Sequence, residues 1–386
     1  MSSIPTLTDG GVTLRAPEDD DIAGSVEQCL DPISQQWTTA PVPYTREDAR
    51  TYLRHIIPSG WETGREWGFV VEAHDPDQDP NQGGARRFAG TISLRNLGDG
   101  RAEVAYGSHP WARGKGIIED ALRRLIIWGF EERDVHTMVW LARRGNWPSR
   151  RLAWRLGFTF EGTLRDWLPT RDGLSDAWAG TLRRGELLEP RSPWLETPRL
   201  HGSRVVLRAM HEGDLARIVE TRSDWEVQHW LQSPRDEAPH TLASTSEFLL
   251  TCAERAASGR SVDWAVADPE TDAYLGQVSL FDVQPGRRSA ELGYWAHPHA
   301  RRRGWTTEAA RLVVRHCFVP EEDGGLGLHR ITAMAAVGND ASHRVLERAG
   351  FMRTGRERSS MLLSDGTWTD AVVYDQLAGD RDRHDW

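Results

Sequence analysis

"AEVAYGSHPWARGKG" (residues 102–116) returns as "AELGYWAHPHARRRG" (290–304), about 190 residues later. Each copy runs from an alternating, β-rich segment through His-Pro into a basic turn that ends in glycine. In the first copy the turn Arg113-Gly114-Lys115-Gly116 is followed at once by apolar residues of helical period: Ile117, Ile118, Ala121, Leu122, Leu125 and Ile126. The first N–H groups of a helix have no partner inside it, and its dipole is positive at that end. A basic, glycine-rich entrance therefore suits an anion, because glycine at 114 and 116 lets the backbone approach where a Cβ would obstruct. A basic helix start without a ligand reads the same way locally. The rest of the repeat is what favours the anion.

That repeat is extensive. "GVTLRAPEDDDIAGSVE" near the start returns as "RVVLRAMHEGDLARIVE" after residue 203, and "AGTISL" (89–94) as "LGQVSL" (275–280). "GNWPSRRLAWRLGF" (145–158) matches "GNDASHRVLERAGF" (338–351), and "LSDAWAGTLRRGEL" echoes "WTDAVVYDQLAGD". The order is kept throughout. The chain thus reads as two copies of one fold, at 1–188 and 204–378, with a Pro-containing linker at 189–203 and a frayed tail at 379–386. Within each copy a strand, a helical region and further strands lead to the glycine turn. A long helix, a strand, a short helix and a final strand pair follow. The fold class expected is α+β, with a mixed, mostly antiparallel central sheet flanked by helices. Copy one carries a polar insertion, "DPDQDPNQGGARR" (75–87), expected to be a surface loop.

Bulk properties narrow the function. Of the 386 residues 39% are hydrophobic and 27% charged, which is globular, and the net charge of −10 argues against a nucleic-acid partner. There is no apolar run of the roughly 18 residues a membrane helix needs, and "MSSIPTLTDGG", with neither a basic nor an apolar region, is not expected to act as a secretory signal. Three scattered cysteines (Cys29, Cys252, Cys317) suit a reducing, cytoplasmic setting with no disulfide framework. The 14 histidines show no metal-ligand spacing, so no metal is expected.

Glu-x-x-Tyr-Gly, His-Pro-x-x-Arg-Gly-Lys-Gly, Gly-Asn-x-x-Ser and a later Gly-Phe, in that order, resemble the GNAT superfamily of acyl-CoA-dependent N-acyltransferases. The nearest branch is that of the ribosomal-protein N-terminal acetyltransferases and their small-molecule-acting relatives. The resemblance covers nearly the whole chain, twice. It implies acetyl-CoA as co-substrate, its pyrophosphate held by His109, Arg113, Gly114, Lys115, Gly116 and Ile117. The counterparts in copy two are Arg301, Arg303, Gly304, Trp305 and Thr306. Copy two departs from the pattern, since Arg302 stands where copy one has Gly114: a side chain there is expected to crowd the backbone, while three arginines add charge that lets binding survive in altered geometry. The resemblance further implies that Asn146 and Asn339 hold the pantetheine arm, with Ser149 and Ser342 near the sulfur as donor or acid. An N-cap explains the same residues equally well.

In the family the amine attacks the thioester directly, so no catalytic cysteine is needed. An alkyl ammonium has a pKa of about 10 against roughly 4 for Glu, so the base works through a shifted pKa or a water relay. Glu103 and Glu291, on the strands before the turns, resemble the family's base; an outward-facing strand carboxylate is the plain alternative. The carbonyl is expected against a backbone amide near Tyr106–His109 or Tyr294–His297. Relatives often use a tyrosine acid one turn after the serine, and here stand Ala153-Trp154 and Leu346-Glu347. Trp37, Trp61 and Trp67, with Trp225 and Trp230, fall where relatives shape the acceptor site, and core packing accounts for them too. The expected activity is acetyl transfer to a primary amine of a small molecule or peptide N-terminus, by a monomer or homodimer. The alternatives are an acyl-CoA sensor or scaffold with degenerate domains, and an amide-forming enzyme with another acyl donor.

Overall fold

The computed structural model describes residues 4–75, 77, 86–230 and 239–383. It divides into two compact units, Met1–Ser192 and Pro193–Trp386.

The first unit runs β1 (Leu7–Asp9), β2 (Val12–Arg15), α1 (Asp21–Leu30), α2 (Pro32–Trp37), α3 (Arg46–Thr51), α4 (Ile57–Thr63), β3 (Glu66–Ala73), β4 (Arg87–Gly98), β5 (Arg101–Ser108), α5 (Ile117–Glu132), β6 (Thr137–Arg143), α6 (Trp147–Arg155), β7 (Thr159–Thr170) and β8 (Gly173–Arg183). A π turn, Tyr52–Ile56, joins α3 to α4. The described strands form one sheet in the order β1-β2-β3-β4-β5-β6-β8-β7. Every pairing is antiparallel except β5 with β6. The second unit repeats this with β9 (Leu200–His201), β10 (Val206–Arg208), α7 (Leu215–Ser223), α8 (Trp225–Trp230), α9 (Leu242–Ala257), β11 (Val262–Ala267), β12 (Tyr274–Gln284), β13 (Ser289–Ala296), α10 (Trp305–Phe318), β14 (Arg330–Ala336), α11 (Asp340–Ala349), β15 (Met352–Leu362) and β16 (Trp368–Leu377). Its sheet order is β9-β10-β11-β12-β13-β14-β16-β15, with β13 and β14 parallel. The α+β class and the mixed sheet are as the sequence implies.

The long helix organises each core. On α5 the buried stripe is Ile117, Ile118, Ala121, Leu122, Leu125 and Ile126, the period read from sequence. It lies so close to the sheet that a Cβ at Gly129 would stand 2.5 Å from Leu94 and 2.7 Å from Met138. In the second unit Val313 and Cys317 of α10 pack with Trp264, Val278, Leu292 and Ile331.

Three segments bear on the sequence reading. Leu200–His201, inside the stretch expected as linker, pairs with Val206 and Leu207 as an edge strand. The tail begins as a 3-10 turn, Ala378–Arg383, where Asp380 Oδ2 accepts from the Leu377 amide at 2.9 Å. Of the insertion at 75–87, residues 76 and 78–85 lie outside the described residues, so its expected loop is not described.

Candidate active site

The parallel strand pair opens. β5 pairs with β6 from Arg101↔Thr137 to Val104↔Trp140, where the pairing stops, although β5 continues to Ser108 and β6 to Arg143. In the second unit it stops at Glu291↔Thr332, with β13 continuing to Ala296. β5 stays bonded to β4 as far as Ser108, and β6 to β8 as far as Arg143, so the two strands splay into a V. Beyond that point the Ser108 carbonyl accepts from Arg113 at 3.3 Å, and the backbone of Ala105–Gly107 has no ladder partner on β6.

The glycine turn lies at the end of β5. Gly114 and Gly116 adopt φ +72° and +78°, and no heavy atom lies within 4 Å of where a Cβ on either would stand. An open, left-handed turn before the unpaired amides of α5 fits a pyrophosphate. Arg302, at the position of Gly114, takes the same conformation at φ +62°. The side chain expected to crowd the turn is accommodated, at the cost of holding a non-glycine residue left-handed. Gly304 at φ +76° opens α10, and Arg303 lies over the Trp305 ring at 5.1 Å. Glu308, in the first turn of α10, accepts from the Arg204 amide at 2.9 Å and pairs with its guanidinium at 2.8 Å.

The turn's cations have protein partners. Arg113 reaches Asp31 and the Ser34 hydroxyl, and Asp31 caps α2 through the Ser34 amide at 2.9 Å. Arg301 likewise meets Asp224 and, at 2.6 Å, Glu226. Lys115 sits 2.6 Å from both Asp75 and Asp77 at the edge of the insertion. His109 and His297 are buried, and their rings brace the turn. His109 Nδ1 accepts from the Trp111 amide and its Nε2 faces Glu27 at 3.2 Å; His297 accepts from the His299 amide and faces Glu220 at 2.9 Å. Burial holds both imidazoles below their ordinary pKa.

The two candidate bases differ. Glu103 lies opposite Arg95 on β4 and accepts from it at 3.0 Å; burial raises its carboxyl above the ordinary range, and Arg95 opposes the rise. Opposite Glu291 stands Phe281 instead. Burial raises Glu291 too, and the charges of Asp282 and Glu357 push the same way.

Asn146 and Asn339 are N-caps, accepting from the Ser149 and Ser342 amides at 3.3 and 3.1 Å. That use takes Oδ1 and leaves the amide nitrogen able to donate outward. The sequence reading missed what the serines touch. Tyr106 of β5 lies 2.6 Å from the Ser149 hydroxyl, and Trp140 of β6 donates to it at 3.0 Å. Tyr294 lies 2.9 Å from Ser342 Oγ. Both tyrosines were visible in the repeated Glu-x-x-Tyr motif, but the contact spans 43 residues of chain in the first unit.

The tryptophans divide. The Trp37 indole lies 3.8 Å from a Cβ position at Gly145, just before Asn146, and Trp230 stands 3.7 Å from Gly338 in the same way. Trp61 and Trp67 instead join Trp128 and Phe69 in an aromatic cluster capped by Arg133, at 5.1 Å from Trp61 and 5.5 Å from Trp67. They are packing residues. Among the described residues no group of His, Cys, Asp and Glu could hold a metal ion, and no helix is long and apolar enough to cross a membrane. Cys252 and Cys317 are buried, which raises their thiol pKa and disfavours a thiolate.

Comparison with known proteins follows this geometry. Residues 12–159 and 204–352 each match the family model described as acetyltransferase (GNAT) domain. An uncharacterized N-acetyltransferase of Bacillus subtilis (strain 168), YoaA, is 28% identical over 177 residues, 46% of this chain and 95% of that protein. The ribosomal protein uS5-alanine N-acetyltransferase of Escherichia coli (strain K12) is 26% identical over 179 residues, 45% of this chain and 88% of that protein. Among solved structures, Mycobacterium smegmatis RimJ in complex with CoA-disulfide shares 23% identity with TM-score 0.43, covering 48% of this chain and 89% of that one. The chain belongs to the GNAT acetyltransferases: it is an N-acetyltransferase carrying two copies of that domain in tandem, with acetyl-CoA as its acyl donor.

Proposed function

We propose that the chain moves acetyl from acetyl-CoA to a primary amine, of a small molecule or a peptide N-terminus, by direct attack in the V between the parallel strands. The observation that carries the reading is the opening of β5 from β6 beside a left-handed glycine turn, with a half-buried carboxylate on the same strand. The turn and the first amides of α5 hold the pyrophosphate, the Asn146 amide holds the pantetheine arm, and a free amide of Ala105–Ser108 polarises the thioester carbonyl. Glu103 or Glu291, raised by burial, takes a proton from the ammonium directly or through water. A peptide N-terminus is a chemically fitting acceptor because it presents a primary amine of lower basicity than lysine.

The test is thiol release from acetyl-CoA by the full chain over a panel of small amines and peptides. Glu103→Gln and Glu291→Gln are expected to lower kcat by about a hundredfold in whichever unit turns over. Full activity in the double variant would remove the carboxylate base, and binding without turnover of any amine would favour a sensor. The second unit gives that alternative some footing, since its turn carries Arg302 and the Arg204–Glu308 pair lies against it.

A further inference from the structure

The hydroxyl that follows each Asn-x-x signature is bonded differently in the two units. Ser149 sits at the mouth of the V, between Trp140, the last residue of β6 paired with β5, and Tyr106, on the stretch of β5 beyond that pairing. An indole N–H only donates, so Trp140 occupies one lone pair of the serine oxygen. Suppose Ser149 gave its proton to Tyr106. The phenol proton of a tyrosine buried enough to raise its pKa would then have no acceptor among the described residues. If Tyr106 donates instead, both lone pairs of Ser149 are filled, every polar atom of the trio is satisfied, and the one proton left over is the serine's.

We propose that Tyr106 and Trp140 are positioning residues that turn the Ser149 O–H outward, toward the sulfur of the bound thioester. The proposal rests on the acetyl-transfer reading above. As the amine nitrogen bonds to the acetyl carbon, the C–S electron pair passes to sulfur, and Ser149 holds that charge with a hydrogen bond. The nitrogen gives up two protons overall, one through the carboxylate to solvent and one to the sulfur, leaving amide and free thiol. Ser149 ends with its own proton.

The second unit is arranged otherwise. Ala333 replaces Trp140, so the indole donor is missing there. Tyr294 also lies 3.1 Å from the Ser342 carbonyl, which can only accept, so its proton goes there and Ser342 donates back to the Tyr294 oxygen. Nor does Tyr374, opposite Ala333, bond to Ser342. It takes an N–H from Arg353 at 3.2 Å and faces His343 Nδ1 at 2.8 Å, while His343 Nε2 donates to the Ala336 carbonyl at 3.1 Å. Near Ser149 the adjacent cation, Arg150, lies over the Trp178 and Phe160 rings at 4.6 and 4.1 Å.

The experiment needs no acceptor. Coenzyme A and desulfo-coenzyme A, which lacks the thiol, are titrated calorimetrically into the full chain as the pH is raised. A hydrogen bond donated to the thiolate makes coenzyme A gain affinity over its desulfo analogue, by about tenfold. Ser149→Ala is expected to abolish that gain. Tyr106→Phe and Trp140→Phe should each lose at least about a third of it on a logarithmic scale, without weakening desulfo-coenzyme A. Ser342→Ala should lose less than Ser149→Ala. Two folded variants, Tyr106→Phe and Trp140→Phe, that keep the whole gain would overturn the assignment, as would an equal loss in Ser342→Ala. Binding of both compounds with no thiolate preference sinks this inference alone. Binding of neither sinks the acyl-CoA reading with it.

Discussion

Arg302 and Gly114 hold one backbone conformation with different side chains, φ +62° against +72°. An L-residue in the left-handed region costs roughly 1–2 kcal/mol, part of which glycine gives back through its freer unfolded chain. Arg302→Gly should therefore stabilise the second unit by about 1 kcal/mol, read as a higher midpoint in calorimetric unfolding. Gly114→Ala should cost the first unit a similar amount and weaken acetyl-CoA binding, because the new Cβ enters the open turn. A fall in midpoint for Arg302→Gly would mean that the arginine's contacts outweigh its strain. A second residue-scale prediction follows from Arg95, which opposes the burial-driven rise of Glu103. Removing that charge in Arg95→Ala raises the carboxyl's pKa further, so the carboxylate forms at higher pH. The ascending limb of the pH–rate profile must then move toward alkali. A shift toward acid would disqualify Glu103 as the base in the active unit.

At the scale of elements, the junction from β5 to α5 depends on its buried histidine. In the second unit His297 Nδ1 faces only donors, the His299 amide at 3.3 Å and an Arg217 N–H at 3.3 Å, so protonation there would break both bonds. Its pKa is lowered, with burial as the main cause, so the unfolded chain takes up the proton first as acid is added. Stability from this group is complete above the ordinary histidine value of about 6.5 and is lost as the pH falls from there toward the folded value. The midpoint gap between wild type and His297→Asn should thus narrow between pH 7 and 5; a constant gap would show that the imidazole stays neutral without cost. Local signals made this junction legible: His-Pro, a glycine turn and a 3.6-residue stripe all act within a few residues, and the Asn caps likewise. What sequence could not yield were contacts set by the sheet. Trp61 and Trp67 fell near the expected acceptor region, yet α4, the register of β3 and the end of α5 draw them to Trp128 and Arg133. The pairing of Tyr106 with Ser149 depends on where β5 leaves β6, which no periodicity records.

Across the whole chain the repeat preserves a fold while exchanging its interior. Where the first unit pairs Trp140 with Gly180, the second pairs Ala333 with Tyr374, and both pairs are cross-strand neighbours in the same register. Each unit places one large aromatic ring and one small residue, on opposite strands. A Cβ at Gly180 would already stand 3.3 Å from the Trp140 ring, so the small partner is a condition of the large one. Such compensation is what a shared backbone demands of two diverged cores, since volume-conserving changes are tolerated and one-sided ones are not. Ala333→Trp alone should therefore destabilise the second unit by about 1–3 kcal/mol through overpacking, and Tyr374→Gly alone by about 3–5 kcal/mol through the cavity it leaves. The pair together should cost less than either sum predicts, with a coupling of at least about 1 kcal/mol. Adding His343→Arg, the first unit's residue at that place, removes the imidazole that Tyr374 would otherwise leave unbonded. Strict additivity of the single changes in denaturant unfolding would mean that the two rings do not compete for one space, and the correspondence between the units would stop at the backbone.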